Sequence, residues 1–500
     1  MFHSRSHFRF AVVPVLLLAV CCLPASAGRA ADEAAPDNAT AWKAGAAKVV
    51  ITPVEPMHMA GYAARTEPAE GKIHDLYIKA LAVEDAKGTR LVMITSDLIG
   101  IPWDLRKWLE EQVQEKFGLP ASGLLLNASH THCGPEVRTT PTALYGLDPK
   151  RQERATAYVK TLQGKLLQLV EESLDDLAPA RIDWCHARAG FAMNRRTLAD
   201  GQYQNRPNPD GRLDHDVPVL RVTRPDGTLR AVLFGYACHN TTLGFQQFCG
   251  DYAGFAQAAI EEAHPGTVAL FMMGCGGDQN PYPRRTLELA QTHGRTLATA
   301  VEAAIEATAR PLNGPLKAAY ETAKLEYQDH PTKAELEKMR DNATSGYDRL
   351  HAERLLFDLE QTGRVRSSYD APIQVIRFSD QLVFVGLPGE TVVDYSLRLK
   401  RELGRKKKEA AAAADAEEKS AAAERPVVWV AGYCNDVFAY IPSLRILQEG
   451  GYEGGGAMRY FSTVVQPGPF APSVEERIVG KVHELNDRLR GEAVSESRTE

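Results

Sequence analysis

The chain has 500 residues and a formal net charge of −6, with 44% hydrophobic and 24% charged residues. That size excludes a small disulfide scaffold and suits one large domain, or one with a small appendage. The acidic balance excludes a general affinity for nucleic acid or for anionic lipid.

At the N-terminus, Arg5 and Arg9 precede an apolar run from Phe10 to Leu23 and then Ala25-Ser26-Ala27. This is the pattern of a cleaved secretory signal over residues 1–27. The run is shorter than the ~20 apolar residues of a membrane span, and Pro14 interrupts it, so a secreted or periplasmic product is expected. Lipoprotein anchoring at Cys21 is disfavoured because Val20 is bulkier than the small residue such a site takes. Of the eight cysteines, Cys21 and Cys22 leave with the signal, while Cys133, Cys185, Cys238, Cys249, Cys275 and Cys434 remain. These contain no Cys-x-x-Cys pair of a structural zinc ribbon, and their pairing stays open, as does the oligomeric state. No later segment reads as a transmembrane helix.

Residues 28–41 are rich in Ala, Asp and Glu and read as a disordered leader. Order begins near Trp42. Leu91 to Ile94 reads as a strand, Trp103 to Phe117 as a helix stopped by Gly118 and Pro120, and Leu124 to Leu126 as a second strand. Ala231 to Ala237 and Thr267 to Met273 read as buried strands, with a helix from about Ala253 to His264 between them. Leu382 to Gly386 and Val427 to Ala431 complete the strands. Residues 405–424, opening on Arg405-Lys406-Lys407-Lys408, have no apolar face and read as a solvated insertion. Ser473 and Glu476 form a capping-box pattern before Val474, Ile478, Val482, Leu485 and Leu489 at helical spacing. That last helix is expected to dock on the core, with 491–500 as a flexible tail. The expected fold is α/β, a large mixed β-sheet core flanked by helices.

Each polar motif follows an expected strand. Ser129-His130-Thr131-His132-Cys133-Gly134-Pro135 follows the strand at Leu124, Cys238-His239-Asn240 the one at Ala231, and Gly277-Asp278-Gln279-Asn280-Pro281 the one at Thr267. Leu387-Pro388-Gly389-Glu390 follows Gly386, and the segment from Gly432 to Tyr440 follows Ala431. Sites in α/β sheets assemble at strand carboxyl ends, so these loops are candidates for one cleft. Alternate residues of an extended segment point the same way, so His130 and His132 can address one ion or one substrate. Ordinary hydrogen bonding is the plainer reading of that pair, and a satisfied core histidine the plainer reading of His239. Glu390 equally serves as a cap for a helix beginning near Thr391, Asp278 as a turn residue, and Arg195 as half of a surface salt bridge. A Cys133 nucleophile is disfavoured, because thiol and imidazole normally meet through the fold rather than as sequence neighbours. Gly-x-Ser-x-Gly, His-Glu-x-x-His and Gly-x-x-x-x-Gly-Lys patterns are absent.

Taken in this order, the motifs resemble the neutral ceramidases, whose Thr-His-Thr-His-Ser-Gly-Pro segment is followed by a strand ending in histidine, a Gly-Asp-Val-Ser-Pro-Asn loop, a Leu-Pro-Gly-Glu turn and a tyrosine-rich segment. The likeness begins at Ala47-Lys48-Val49-Val50-Ile51-Thr52-Pro53 and runs to the tyrosines between Tyr440 and Tyr452. It implies a catalytic domain over residues 42–490 that cleaves the amide of an N-acyl lipid such as ceramide with zinc-activated water. It implies one Zn2+ per chain, held by His130, His239, Glu390 and Tyr440, with Tyr433 and Tyr452 as neighbouring candidates for the tyrosine. His132 and Arg195 are then expected at the substrate carbonyl, and Asp278 in a proton-handling or supporting role. The expected partner is an N-acyl lipid or another acyl amide, with at most transient contact with a membrane surface. Gln279, Asn280 and Cys133 depart from the family pattern, and the chain ends without room for the carboxy-terminal immunoglobulin-like domain. Two alternatives remain: a zinc deacylase or esterase for another N-acyl or O-acyl compound, and a binding protein that keeps the fold without the chemistry.

Overall fold

Runs of Val, Ile and Leu buried on both faces dictate the main strands, and the computed structural model places them in two stacked sheets beside two smaller ones of three and two strands. It describes residues 1, 42–139, 149–328, 330–404, 426–461 and 464–491. The expected signal beyond Met1, the leader, the insertion at 405–424 and the tail beyond Gly491 lie outside the described residues.

In chain order the elements are β1 (Trp42–Val50), β2 (Tyr77–Asp85), β3 (Arg90–Ser96), α1 (Trp103–Phe117), β4 (Leu124–Ala128), α2 (Pro149–Asp175), β5 (Ala178–Arg188), β6 (Ala192–Ala199), β7 (Gln202–Asn208), β8 (Asp216–Thr223) and β9 (Leu229–Tyr236). Then come α3 (Asp251–Ala263), β10 (Val268–Met273), β11 (Gln279–Pro281), α4 (Leu287–Glu306), β12 (Arg310–Pro311), β13 (Leu316–Glu326), α5 (Lys333–Asp341), α6 (Gly346–Thr362), β14 (Ser368–Phe378), β15 (Leu382–Gly386) and β16 (Glu390–Thr391). The chain continues with α7 (Val393–Leu403), β17 (Val427–Ala431), β18 (Tyr440–Ile441), α8 (Leu444–Glu449) and α9 (Val474–Arg490).

The large sheet runs β10-β9-β8-β5-β1-β2-β3-β4, with β12 beside β5. It is mixed: β3 and β4 pair parallel, as do β9 and β10, while the other neighbours are antiparallel. Alternation along each strand sorts its two faces. Ile78, Ala80, Ala82, Leu124 and Leu126 meet α1 and α2 on one side. Leu81, Val83 and Leu125 point the other way, onto Phe378, Phe384 and Trp429 of a four-stranded sheet β13-β14-β15-β17. That second sheet buries its far face under α7 and α9. The mixed sheet flanked by helices is therefore as expected, and a second sheet stacked on it is an addition. Gly235 in β9 marks the contact, since a Cβ there would come within 2.9 Å of the Trp429 ring.

Two expectations about helix ends need correction. Ser473 leads into α9 without a side-chain cap, and Glu476 instead pairs with Arg398 of α7 at 2.5 Å. Glu390 does not cap α7 either; it lies in β16, and the carboxylate at that helix start is Asp278, whose Oδ1 accepts the Val393 N–H at 2.8 Å.

Asn127 clasps the layers. Its Oδ1 accepts from the Met273 N–H at 2.8 Å, and its Nδ2 donates to the carbonyls of Met273 at 3.3 Å and Gly432 at 2.7 Å. One buried amide thus joins the carboxyl ends of β4 and β10, the outer strands of the large sheet, to the end of β17.

Candidate metal centre

The five strand ends converge. His130 follows β4 in a left-handed conformation, φ 59°, that non-glycine residues adopt at a cost and that clusters at functional sites. The turn is held by the Thr131 hydroxyl, which donates to the Cys249 carbonyl at 2.7 Å, and by the Cys133 N–H, which donates back to that hydroxyl at 3.1 Å. His239 follows β9, and its backbone N–H donates to the Gln279 carbonyl at 2.8 Å. Glu390 and Tyr440 arrive together as directly opposed partners in the parallel ribbon of β16 and β18.

Glu390 Oε2 lies 3.2 Å from both His130 Nε2 and His239 Nε2. His239 Nε2 is also 3.2 Å from the Tyr440 hydroxyl. Zinc bonds of about 2.0–2.1 Å at tetrahedral angles put neighbouring ligand atoms about 3.3 Å apart, and these three separations match that spacing. The imidazoles are aimed for it. His130 Nδ1 bonds the Ile99 carbonyl at 2.6 Å and His239 Nδ1 bonds the Gly276 carbonyl at 2.7 Å. A carbonyl only accepts, so each Nδ1 carries the hydrogen and each Nε2 presents its lone pair to the centre.

His132 differs. The nitrogens of His130, His132 and His239 all lie within 4.8 Å of one another, and His132 Nε2 is 3.1 Å from His130 Nε2. Its Nδ1, however, is buried without a hydrogen-bond partner among the described residues. A metal-bound imidazole normally has its second nitrogen held, so the geometry sets His132 apart from the other two. Its ring packs on Gly61, where φ is +102° and a Cβ would come within 2.5 Å of the imidazole. Burial, then the neighbouring His130 and His239, push His132 well below the ordinary histidine range. His239 is pushed down to about 3, by burial first and then Arg195. For Glu390 burial works upward, but the two histidines outweigh it and hold the carboxyl well below its usual value. His132 and His239 are thus held neutral beside a carboxylate, the state in which such groups bind metal.

Arg195 is buried rather than a surface residue, at 4% exposure. It donates from Nε to Glu453 at 2.8 Å, from one terminal nitrogen to Asn280 at 3.3 Å and from the other to the Tyr440 hydroxyl at 2.9 Å. Its donors thus brace the tyrosine from behind, and it does not line the pocket at the centre. Asp278 lies deeper still, bonded to Val393 and, at 3.3 Å, to Asn194; burial pushes it up to about 7. Cys133 is fully buried and pushed up to about 12, chiefly by burial, so it remains a thiol. Cys133, Cys185, Cys238, Cys249, Cys275 and Cys434 are all buried and unbridged.

A cavity of about 300 Å³ opens on the centre. His130, His132, Glu390 and Tyr440 form its polar end, and Ile99, Ile101, Pro102, Val137, Val437 and Phe461 its apolar wall.

Residues 42–284 match the family described as neutral/alkaline non-lysosomal ceramidase, N-terminal. Over this stretch, just under half of its length, the chain is similar to the neutral/alkaline non-lysosomal ceramidases. The matched ceramidase segment holds His130, His132, Arg195, His239 and Asp278, whereas Glu390 and Tyr440 lie beyond it. Neutral ceramidase B of Dictyostelium discoideum is 24% identical over 247 residues, which is 46% of this chain and 34% of that protein. Neutral ceramidase A of the same organism is 25% identical over 251 residues, or 45% and 34%. The aligned stretch therefore spans about a third of either relative. The fold continues past it. A crystal structure of neutral ceramidase from Pseudomonas aeruginosa superposes with a TM-score of 0.66 at 17% identity, covering 92% of this chain and 76% of that one. A structure titled as ceramidase complexed with C2 gives 0.67 at 17%, covering 92% and 77%.

Glu453 and Asn127 carry weight that reading the sequence did not assign, and Tyr433, a candidate for the tyrosine, lies against the centre. Glu453 sits in the turn Tyr452–Gly456 between two buried arginines, 2.8 Å from Arg195 and 2.6 Å from Arg196. Tyr433, at φ 55°, donates to Glu390 at 3.4 Å and lays its ring against His130. A glutamate in a glycine-rich turn has no local signature; only its contact with two distant arginines reveals it.

Proposed function

We propose that this chain is an exported zinc-dependent hydrolase of linear amides, with an N-acyl lipid such as ceramide as substrate. The observation that carries the reading is the spacing of His130 Nε2, His239 Nε2, Glu390 Oε2 and the Tyr440 oxygen around one point. Two imidazoles, a carboxylate and a phenol form a nitrogen and oxygen donor set that suits zinc. Bound there, zinc supplies a Lewis acid that lowers the pKa of water towards about 7 and polarises a carbonyl. The remaining work falls to the protein. His132 Nε2, neutral and facing the cavity, takes and returns a proton at the scissile amide. Arg195 holds the Tyr440 oxygen in line, and Asp278 fixes the start of α7 beside Glu390. The apolar wall from Ile99 to Pro102 and Val437 receives the acyl chain.

Export rests on the signal pattern at 1–27. No helix among the described residues is long and apolar enough to cross a membrane. One observation favours a second, narrower reading. A cavity of about 300 Å³ is at the small end for ligand sites, which favours shorter acyl amides over long-chain ceramide.

The test is metal analysis of the purified mature protein alongside hydrolysis of labelled acyl amides of graded chain length. One zinc per chain and a rate that peaks at a defined chain length are expected. A wild type without metal, or one active only on esters, overturns the proposal.

A further inference from the structure

Two histidines at the polar end of the cavity lean on different neighbours. His130 leans on Ile99 and so on the aliphatic wall. His132 leans the other way, with its ring centroid 4.8 Å from that of Tyr62. Behind Tyr62 is a concentration of positive charge. Arg285 donates to the Tyr62 hydroxyl at 3.1 Å and lies 5.5 Å from its ring centroid, while Arg65 lies 4.9 Å from the same ring. Arg284 is half-buried, and its side chain has no hydrogen bond or ion pair among the described residues.

None of these three guanidinium groups meets a carboxylate among the described residues. Arg65 donates to the carbonyls of Ala60, His132 and Phe245. The buried acid nearest Tyr62, Asp251, is occupied by the N–H groups of Leu243 at 2.8 Å and Tyr252 at 2.6 Å. Arg284 and Arg285 also precede α4, whose N-cap is Thr286. A helix start carries partial positive charge and favours anions there. The acid of that first turn, Glu288, is fully exposed and turned to the helix end itself. Two adjacent arginines, one half-buried and without a partner among the described residues, beside a helix N-terminus form an arrangement that an anion would complete.

We infer that Arg284 and Arg285 form a subsite for an anionic group, a carboxylate or a phosphate, carried by the substrate on the amine side of its amide. The inference rests on the amide-hydrolase reading for its place in the reaction. With the acyl chain on the wall at Ile99 and the scissile amide at the histidines, the leaving amine extends past His132 and Tyr62 towards these arginines. Arginine suits either oxyanion through its forked donors.

The test pairs substrates of one acyl length: N-dodecanoyl glycine against N-dodecanoyl ethanolamine, and ceramide 1-phosphate against ceramide. The wild type is expected to favour the anionic member of at least one pair by about tenfold in kcat/KM, and the pair that responds separates carboxylate from phosphate. The double variant Arg284→Gln, Arg285→Gln should collapse that ratio, while Arg284→Lys, Arg285→Lys should keep most of it. A wild type without preference, or an equal fall for charged and neutral substrates, overturns the subsite. Calorimetric binding of dodecyl phosphate decides the matter independently of turnover. About tenfold weaker binding by the glutamine pair supports the subsite even if no amide is cleaved, a result that removes the hydrolase reading alone. Equal binding by wild type and variant removes the subsite.

Discussion

His130 and His239 leave the large sheet on separate turns, and each is aimed by its own Nδ1 bond to a main-chain carbonyl. Glu390 and Tyr440 come from the other side of the cleft as neighbours on a two-residue ribbon. The nitrogen half is therefore fixed one residue at a time, by contacts within a few ångströms of the centre. The oxygen half is fixed as a pair, and its alignment depends on groups behind it: Asp278 at the start of α7, and the chain of Glu453, Arg195 and the Tyr440 hydroxyl. Damage to the first half should stay local. Damage to the second should arrive from a distance.

The largest effect tests the centre itself. His130→Ala and His239→Ala should each reduce bound zinc from one per chain to near zero and lower kcat/KM by about 10³-fold or more, read by metal analysis and initial rates. If either variant keeps its metal, the two imidazoles are not equivalent ligands. Next come the distant groups. Glu453→Gln and Arg195→Lys touch none of the proposed substrate, yet should lower kcat/KM by about 10–100-fold, as losses of supporting hydrogen bonds do. Tyr440→Phe should give a fall of similar size, and combining it with Arg195→Lys should cost little more, because both act on one oxygen. Additive losses would mean that Arg195 acts on the substrate and not through Tyr440.

The same contrast governs what could be read from the sequence. Trp103–Phe117, Leu382–Gly386 and Val427–Ala431 were legible residue for residue, because apolar runs and a Gly-x-Pro stop are local. The His-x-His segment was legible for the same reason. The second sheet was not foreseen as a sheet: β13 pairs with β14 across the whole α5 and α6 hairpin, and nothing local announces the pairing. Alternation in Ser368–Phe378 was the available signal. Glu390 invited a capping role because Pro388-Gly389-Glu390 looks like a helix entry, and no local pattern reveals that Asp278 holds the cap. Choosing among Tyr433, Tyr440 and Tyr452 likewise required the ribbon, which sets Tyr440 against Glu390, leaves Tyr433 beneath it and puts Tyr452 at the partly exposed rim.

Stability probes separate the two halves without kinetics. Asn127→Leu removes a buried amide that satisfies the Met273 N–H and two carbonyls, of which that of Gly432 keeps only the Cys434 thiol at 3.2 Å. A loss of about 3 kcal/mol is expected, read from the denaturant midpoint. Since Asn127 joins both outer strands of the large sheet to β17, the two halves should come apart together, in a single transition. Two separated transitions would show that the sheets fold independently and that the clasp is dispensable.

The smallest effect concerns the loop that carries the oxygen half. Asp436 is fully buried, accepts a hydrogen bond from Tyr369, and through its backbone carbonyl accepts the Gly389 N–H at 2.7 Å, next to Glu390. Burial pushes its carboxyl up to about 7 from an ordinary 3.8. Between those values the folded chain holds a proton that the unfolded chain releases, so this group's contribution to stability falls as pH rises through that window. Asp436→Asn imitates the protonated acid. It should flatten the decline between about pH 4 and 7 and leave the variant more stable than wild type at the upper end by roughly 1–2 kcal/mol. Denaturant midpoints across that range check it. An unchanged slope would assign the decline elsewhere and remove Asp436 from the groups that tension the ribbon.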